Sequence, residues 1–284
     1  YTDGKFATDN GNALFVSEPY QPARERRDVR YPLILNTGRL RDQWHGMSRT
    51  GTAAQLFGHV EQALLSLHLV RVSSRRGELV LPVQADEHVR PGQAFLPMHW
   101  GDRFLKGLGC NVLTQPAFDP LSKQPELKQS CINIRPAELQ WELFLLVEGK
   151  VQERFEAIRP LCEGFDYLGM GLIGRDRPAL LLRAASIQAP DAELLAQIDA
   201  LAGLDSGPVL SYEDPAMAVS KRVRLDQQRI TAVRLSGETA ARNWLRSLWL
   251  SGEPASELSR WLLAPISTPP GAASACADKT LCNC

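Results

Sequence analysis

In the first half of this chain, apolar residues come mainly in short runs, each closed within a few positions by glycine, proline or asparagine. Runs of that length between turn residues specify strands, because an amphipathic helix needs an apolar stripe carried over several turns. Phe6-Ala7-Thr8 and Ala13-Leu14-Phe15-Val16 flank Asp9-Asn10-Gly11, a hairpin signal. Tyr20 to Arg30 is rich in Pro and Arg and reads as an extended connector. Tyr31-Pro32-Leu33-Ile34-Leu35 reads as a buried strand emptying into the polar loop Asn36-Thr37-Gly38-Arg39. Leu69 to Ser73 and Glu78 to Val83 flank Ser74-Arg75-Arg76-Gly77, a second hairpin. Arg90-Pro91-Gly92 is a turn before a strand at Ala94-Phe95-Leu96. The chain up to about Pro136 is therefore mostly β, with turns at barrel-like spacing. Glu61 to Leu69 fits helix and strand equally.

The second half differs. Asp191 to Leu201 sets Leu194, Leu195, Ile198 and Leu201 on one helical face between Pro190 and Gly203. Lys221 to Leu225 and Ile230 to Leu235 surround Asp226-Gln227-Gln228, another hairpin. Thr239 is placed to cap a helix carrying Ala241, Trp244, Leu245, Leu248 and Trp249 and ending at Gly252. Pro254 opens a short helix with Leu258, Trp261 and Leu262, stopped by Pro265. Ile266 to Ala275 has linker composition.

A length of 284 residues suggests two domains, or one with an appendage. Lys plus Arg and Asp plus Glu both number 32, so no basic excess points to nucleic acid or a membrane surface. No apolar run approaches the roughly 18 residues of a membrane span. Hydrophobic residues at 44% and charged residues at 23% are ordinary for a packed globular chain. A start at Tyr1 without a signal segment, and an end at Cys282-Asn283-Cys284, suggest a piece of a longer polypeptide. Cys110, Cys131 and Cys162 sit in apolar or mixed segments and read as buried free thiols. For Cys276, Cys282 and Cys284, ordinary thiols on a tail and a Cys-x-Cys metal pair both stand open.

Two irregular stretches hold the candidate chemistry. In Leu35 to Gly51, Asn36-Thr37-Gly38 offers backbone N–H groups and short donors, and Gly38 permits close approach of a ligand. Arg39, Arg41 and Arg49 are forked donors for phosphate, and Asp42 can accept from a guanine edge or a ribose hydroxyl. Trp44 and His45 present flat rings to a heterocycle. An Arg-rich surface loop whose Trp44 closes the core is the competing reading. The second stretch joins Pro97-Met98-His99-Trp100 to Asn111-Val112-Leu113-Thr114 and Asp119 to Lys128. Its polar density and lack of periodicity mark a loop region of the length that is more often functional than idle. His59, His68 and His88 read as surface or structural residues, and no HExxH, Walker or GxSxG motif is present.

Together, Leu35-Asn36-Thr37-Gly38-Arg39 with Trp44-His45-Gly46-Met47-Ser48-Arg49-Thr50-Gly51, then Pro97 to Trp100, then Asn111 to Thr114 with Asp119 to Lys128, resemble a known domain. It is the C-terminal dinucleotide-binding domain of the molybdenum bis(molybdopterin guanine dinucleotide) oxidoreductases, most similar within them to bacterial assimilatory nitrate reductases. The resemblance covers roughly residues 1 to 135. It implies a six-stranded double-psi β-barrel with an N-terminal lead-in over residues 1–140, a small α+β connector over 141–265, and a linker with the truncated start of a [2Fe–2S] domain at 266–284. It also implies a cofactor site of Asn36, Thr37, Gly38, Arg39, Leu40, Arg41, Asp42, Gln43, Trp44, His45, Ser48, Arg49, His99, Trp100, Asn111 and Lys128. The 37–45 loop would line the guanine dinucleotide and its pyrophosphate, while His99 or Trp100, Asn111 and Lys128 would reach the pterin or phosphates. In one departure, the Pro-x-Asp-Ala helix and Gly-Asp turn usual in the family before the Val-Arg-Val strand are missing, since Leu67-His68 runs directly into Leu69-Val70.

Tyr212-Glu213-Asp214-Pro215, Val233 to Glu238, Trp244-Leu245 and Trp261 to Pro265 resemble the region before a bacterioferritin-associated-ferredoxin-like [2Fe–2S] domain. On that likeness Cys282 and Cys284 are the first two of four cluster thiolates, and Cys276 falls outside the motif. The resemblance implies a cytoplasmic enzyme reducing nitrate to nitrite by two electrons. Its [4Fe–4S] cluster and the thiolate on molybdenum would come from residues upstream, so these 284 residues alone are expected to be inactive. Electrons would come from a donor protein or an NAD(P)H-linked reductase subunit. A formate-dehydrogenase-type enzyme and a non-catalytic nucleotide-binding module are the alternatives.

Overall fold

The computed structural model describes residues 3–15, 17, 19, 22–39, 68–98, 100–120, 122–174 and 176–270. The first of two sheets contains β1 (Leu33–Gly38), β2 (His68–Ser74), β3 (Glu78–Val83), β4 (Gln93–Pro97) and β5 (Ser130–Pro136), in the order β3-β2-β5-β1-β4. β1 and β4 are parallel and the other neighbours antiparallel. The second sheet contains β6 (Trp141–Glu148), β7 (Tyr167–Ile173), β8 (Ala179–Ser186), β9 (Val209–Asp214), β10 (Val219–Asp226) and β11 (Arg229–Ser236). It runs β7-β8-β6-β11-β10-β9 and is antiparallel throughout. Three helices accompany it: α1 (Val151–Leu161), α2 (Ala192–Ala202) and α3 (Arg242–Ser251). The expected order, mainly β and then α+β, is the one observed, with five strands of a half-barrel among the described residues. No helix among those residues is long and apolar enough to cross a membrane.

The second sheet is covered on both faces, which explains why β6 and β8 are almost continuously apolar. Leu143, Leu145 and Val147 of β6 pack with Phe155 and Ile158 of α1 and Ile198 of α2. The alternate residues Phe144 and Leu146 face the other way, into a cluster with Trp244 and Leu245 of α3. That cluster also takes in Leu35, Val72, Leu79 and Trp100 of the first half, so one apolar core runs through both sheets.

Several expectations need correction. Asp9 to Gly11 does turn, with the Phe6 N–H bonded to the Gly11 carbonyl, but its flanks form no strands. Asn36, Thr37 and Gly38 lie inside β1 and not in a loop after it, because their backbones continue the ladder to β4. Thr239 does not cap α3: Ala241 is the cap, and the Thr239 hydroxyl donates to Glu142. The helix expected after Pro254 is reduced to one 3-10 turn at Ser259–Trp261. The stretch 61–67 and the part of the 266–284 linker beyond 270 lie outside the described residues, while His68 and Leu69 are continuous within β2. The Asp191 helix and the β2–β3 and β10–β11 hairpins form where expected.

Charges are buried in the second sheet. The Arg234 guanidinium donates to both Asp199 oxygens, at 2.9 and 2.6 Å, and both side chains are at most 2% exposed. Removing one member of such a pair strands the other in a low-dielectric interior. Asp199→Ala is expected to cost about 3–5 kcal/mol in urea unfolding; a loss below about 1 kcal/mol would show that the pair carries little of the fold.

Candidate functional site

The site is set by β1 running parallel to β4. Their register ends at Gly38 opposite Pro97, so both chains leave the sheet at the same edge, and the Met98 N–H still bonds to the Gly38 carbonyl at 2.9 Å. Arg39 and Met98, far apart in sequence, therefore leave the sheet side by side. Thr37 is buried, and its hydroxyl donates to the Leu127 carbonyl at 2.7 Å, bringing Lys128 to the same end of β1. The Cys110 thiol lies 3.7 Å from the Met98 carbonyl, which carries its neighbour Asn111 to that end as well. Arg39, Asn111 and Lys128 are all exposed there.

Two glycines make these approaches possible. A Cβ on Gly38 would lie 2.9 Å from the Phe95 ring, so glycine at this position lets Phe95 of the parallel strand pack against β1. Gly109 has a φ of 72°, and a Cβ there would fall 2.4 Å from the Trp100 carbonyl oxygen. No side chain fits that gap, so the 3-10 turn Cys110–Leu113 seats against the segment after β4 only with glycine at 109.

The expected residues are thus partly brought together. Thr37, Gly38, Arg39, Asn111 and Lys128 converge at one edge. Asn36 lies one residue back on β1, where strand alternation turns it to the face opposite Thr37. Trp100 is buried in the shared core, edge-on to Phe104 at 6.4 Å. Leu40, Arg41, Asp42, Gln43, Trp44, His45, Ser48, Arg49, His99, Cys282 and Cys284 lie outside the described residues, as do His59 and Cys276. Cys110, Cys131 and Cys162 are buried free thiols as expected, and burial pushes the Cys162 thiol up to about 12. His68 and His88 are exposed, as read, and His88 pairs with Asp86 at 2.9 Å.

Glu25 escaped the sequence reading. Its carboxylate accepts from Arg75 at 2.5 Å, from Arg76 at 3.0 Å and from the Cys131 N–H at 2.9 Å. Arg76 also donates to the Leu113 carbonyl at 2.9 Å. One acidic residue of the connector thereby ties the β2–β3 turn, β5 and the turn carrying Asn111 to one another. Nothing local marks it among the arginines of 20–30. Burial pushes the Glu25 carboxyl up, but the hydrogen bonds from Arg76, Cys131 and Arg75 outweigh it and hold the group below the usual glutamate value.

The exposed side chains at this edge are of the kinds that can meet an anionic ligand and a heterocycle. Two exposed cations suit phosphates, and the Asn111 amide offers a donor and an acceptor to a pterin edge. Residues 33–131 match the family profile described as "Molydopterin dinucleotide binding domain". The chain is 39% identical over 150 residues to a nitrate reductase of Klebsiella oxytoca, covering 48% of this chain and 17% of that protein. To a nitrate reductase of Synechocystis sp. it is 37% identical over 157 residues, covering 48% and 21%. To the F420-dependent formate dehydrogenase subunit alpha of Methanocaldococcus jannaschii it is 32% identical over 143 residues, covering 46% and 20%. The chain spans about a fifth of the length of the curated relatives it matches.

Because the folded pKa of Glu25 is depressed, its stabilisation is complete above the ordinary glutamate value and is lost as pH falls through the folded one. Glu25→Gln is expected to cost about 1–3 kcal/mol at neutral pH, with the gap to wild type closing below roughly pH 4. A gap in melting temperature that stays constant from pH 7 to pH 3 would rule out this linkage. The similarity to the molydopterin dinucleotide binding domain thus falls on residues 33–131, and about half of the chain is similar to parts of two nitrate reductases.

Proposed function

We propose that this chain is the cofactor-clamping C-terminal portion of an assimilatory nitrate reductase, a cytoplasmic enzyme reducing nitrate to nitrite by two electrons. The observation that carries the proposal is the convergence of Thr37-Gly38-Arg39, Asn111 and Lys128 at one sheet edge, within a stretch that matches a dinucleotide-binding family. The similarity to two nitrate reductases supports the substrate. When bound, the bis(molybdopterin guanine dinucleotide) molybdenum centre supplies the oxygen-atom transfer, and the protein supplies orientation and electrostatics. Arg39 and Lys128 neutralise the pyrophosphate, with Arg41 and Arg49 as further donors. Thr37 and Leu127 hold the two sides of the clamp together. Asn111 orients the pterin by its amide, and Asp42, Trp44 and His45 hold the guanine end.

On this reading the segment 141–265 is a connector through which electrons enter. Cys282 and Cys284 begin a [2Fe–2S] ligand set completed further along the polypeptide, and a [4Fe–4S] cluster belongs to the upstream part. A donor protein or an NAD(P)H-linked reductase subunit supplies the electrons. A formate-dehydrogenase-type activity is the second reading, favoured by the 32% identity to a formate dehydrogenase subunit.

The full-length protein is expected to hold molybdenum and guanine nucleotide and to form nitrite from nitrate with a reduced viologen as donor. Formate oxidation without nitrate reduction would replace the substrate, and protein lacking both molybdenum and guanine would point to a bare binding module. Lys128→Ala and Asn111→Ala are expected to weaken guanine dinucleotide retention by about tenfold or more each, at an unchanged melting temperature. Full retention in both variants would remove these residues from the site.

A further inference from the structure

Between Trp100 and Cys110 the chain leaves the first sheet and is held by the second. The Met170 N–H of β7 donates to the Phe104 carbonyl at 2.7 Å, and the Lys106 N–H donates to the Leu168 carbonyl at 2.9 Å. Leu105 and Gly169 thereby form an isolated antiparallel bridge, extending the sheet by one short rung at the β7 edge. Side chains add to it. The Lys106 ammonium donates to the Phe165 carbonyl at 2.5 Å, and the Arg159 guanidinium of α1 donates to the Asp102 carbonyl at 3.0 Å. Phe104 packs edge-on against Phe155 of α1 with ring centroids 6.0 Å apart, and the Arg103 guanidinium lies 5.6 Å from the Phe155 centroid.

The two ends of this tethered segment are the parts that build the edge described above. Trp100 and Met98 lie at one end, and Cys110 and Asn111 at the other. The ends touch each other at Gly109, whose Cα sits where a Cβ would strike the Trp100 carbonyl. The segment is thus a closed loop whose tip is clamped by β7 and α1, with Asn111 carried on its returning arm.

We propose that β7 and α1 of the second sheet act as a positioning support for the dinucleotide site, with Lys106 and Arg159 as positioning residues that set where Asn111 meets the bound pterin. This rests on the cofactor reading of the preceding section. Both side chains donate to backbone carbonyls across the junction between the halves and neither reaches the converging edge, so they act through the loop alone. The second half then has a role in cofactor retention in addition to carrying electrons.

The experiment uses the full-length protein in four forms: wild type, Lys106→Pro, Arg159→Met and the conservative Lys106→Arg. Lys106→Pro removes both the bridge N–H and the ammonium, whereas Arg159→Met leaves the bridge intact. Hydrogen exchange of the 100–110 amides and the rate of guanine nucleotide release after dilution are measured, with thermal unfolding as a check on folding. The expected result is faster exchange confined to 100–110, with release about tenfold faster in Lys106→Pro and by a smaller factor in Arg159→Met. Release is expected to return to the wild-type rate in Lys106→Arg. If Lys106→Pro lowers the melting temperature of the whole protein, Arg159→Met and Lys106→Arg decide the matter. Faster exchange with unchanged release in Arg159→Met, or faster release in Lys106→Arg as well, overturns the positioning role. Wild-type protein that contains no guanine nucleotide overturns the cofactor reading and this proposal with it.

Discussion

The parallel pairing of β1 with β4 is the constraint on which the rest of the site depends. Antiparallel neighbours would send their following loops to opposite ends of the sheet. Parallel ones send both to the same end, and here Arg39 and Met98, which lie in the two irregular stretches of candidate chemistry, leave the sheet together. The Thr37 hydroxyl then draws in a third stretch through the Leu127 carbonyl, and the Cys110 thiol seats a fourth beside Met98. None of these contacts is strong alone. Their effect comes from all of them converging at the end of one strand.

Support for that end comes from behind and from the side. Behind it, the buried Glu25 carboxylate gathers Arg75, Arg76 and the Cys131 N–H, so the connector, the β2–β3 turn and β5 cannot move independently. To the side, the second sheet contributes a stiff, doubly covered layer whose internal charges are paired. Glu142 accepts from Arg183 and Arg242, and Asp199 from Arg234. Partner-matched charges of this kind are costly to break one at a time, which makes the sheet a fixed reference against which a loop can be held.

What could be read from the sequence follows the range over which each signal acts. Hairpins with local turn residues, such as Ser74 to Gly77 and Asp226 to Gln228, were legible, as was the Asp191 helix with Gly203 in a left-handed conformation at its end. The site motifs were legible as types because polar residues without periodicity stand out, but the reason for their convergence was not. Nothing in Thr37 and Leu127, ninety residues apart, announces a hydrogen bond between them. Gly38 stands out in the sequence as a point of close approach, but the packing of Phe95 against it across the parallel pair has no local signal. The apolar runs from Trp141 to Ser186 gave little periodicity because both faces of the sheet are buried. Glu25 was hidden by its arginine-rich neighbours, and its partners lie up to 106 residues away.

The most direct measurement is a density map of the full-length protein purified with its cofactor. The account predicts one continuous guanylated pterin passing between the Thr37-Gly38-Arg39 backbone and the Lys128 ammonium, with the Asn111 amide on its ring edge. A dinucleotide bound elsewhere, with Lys128 facing solvent on the far side from Arg39, would contradict it.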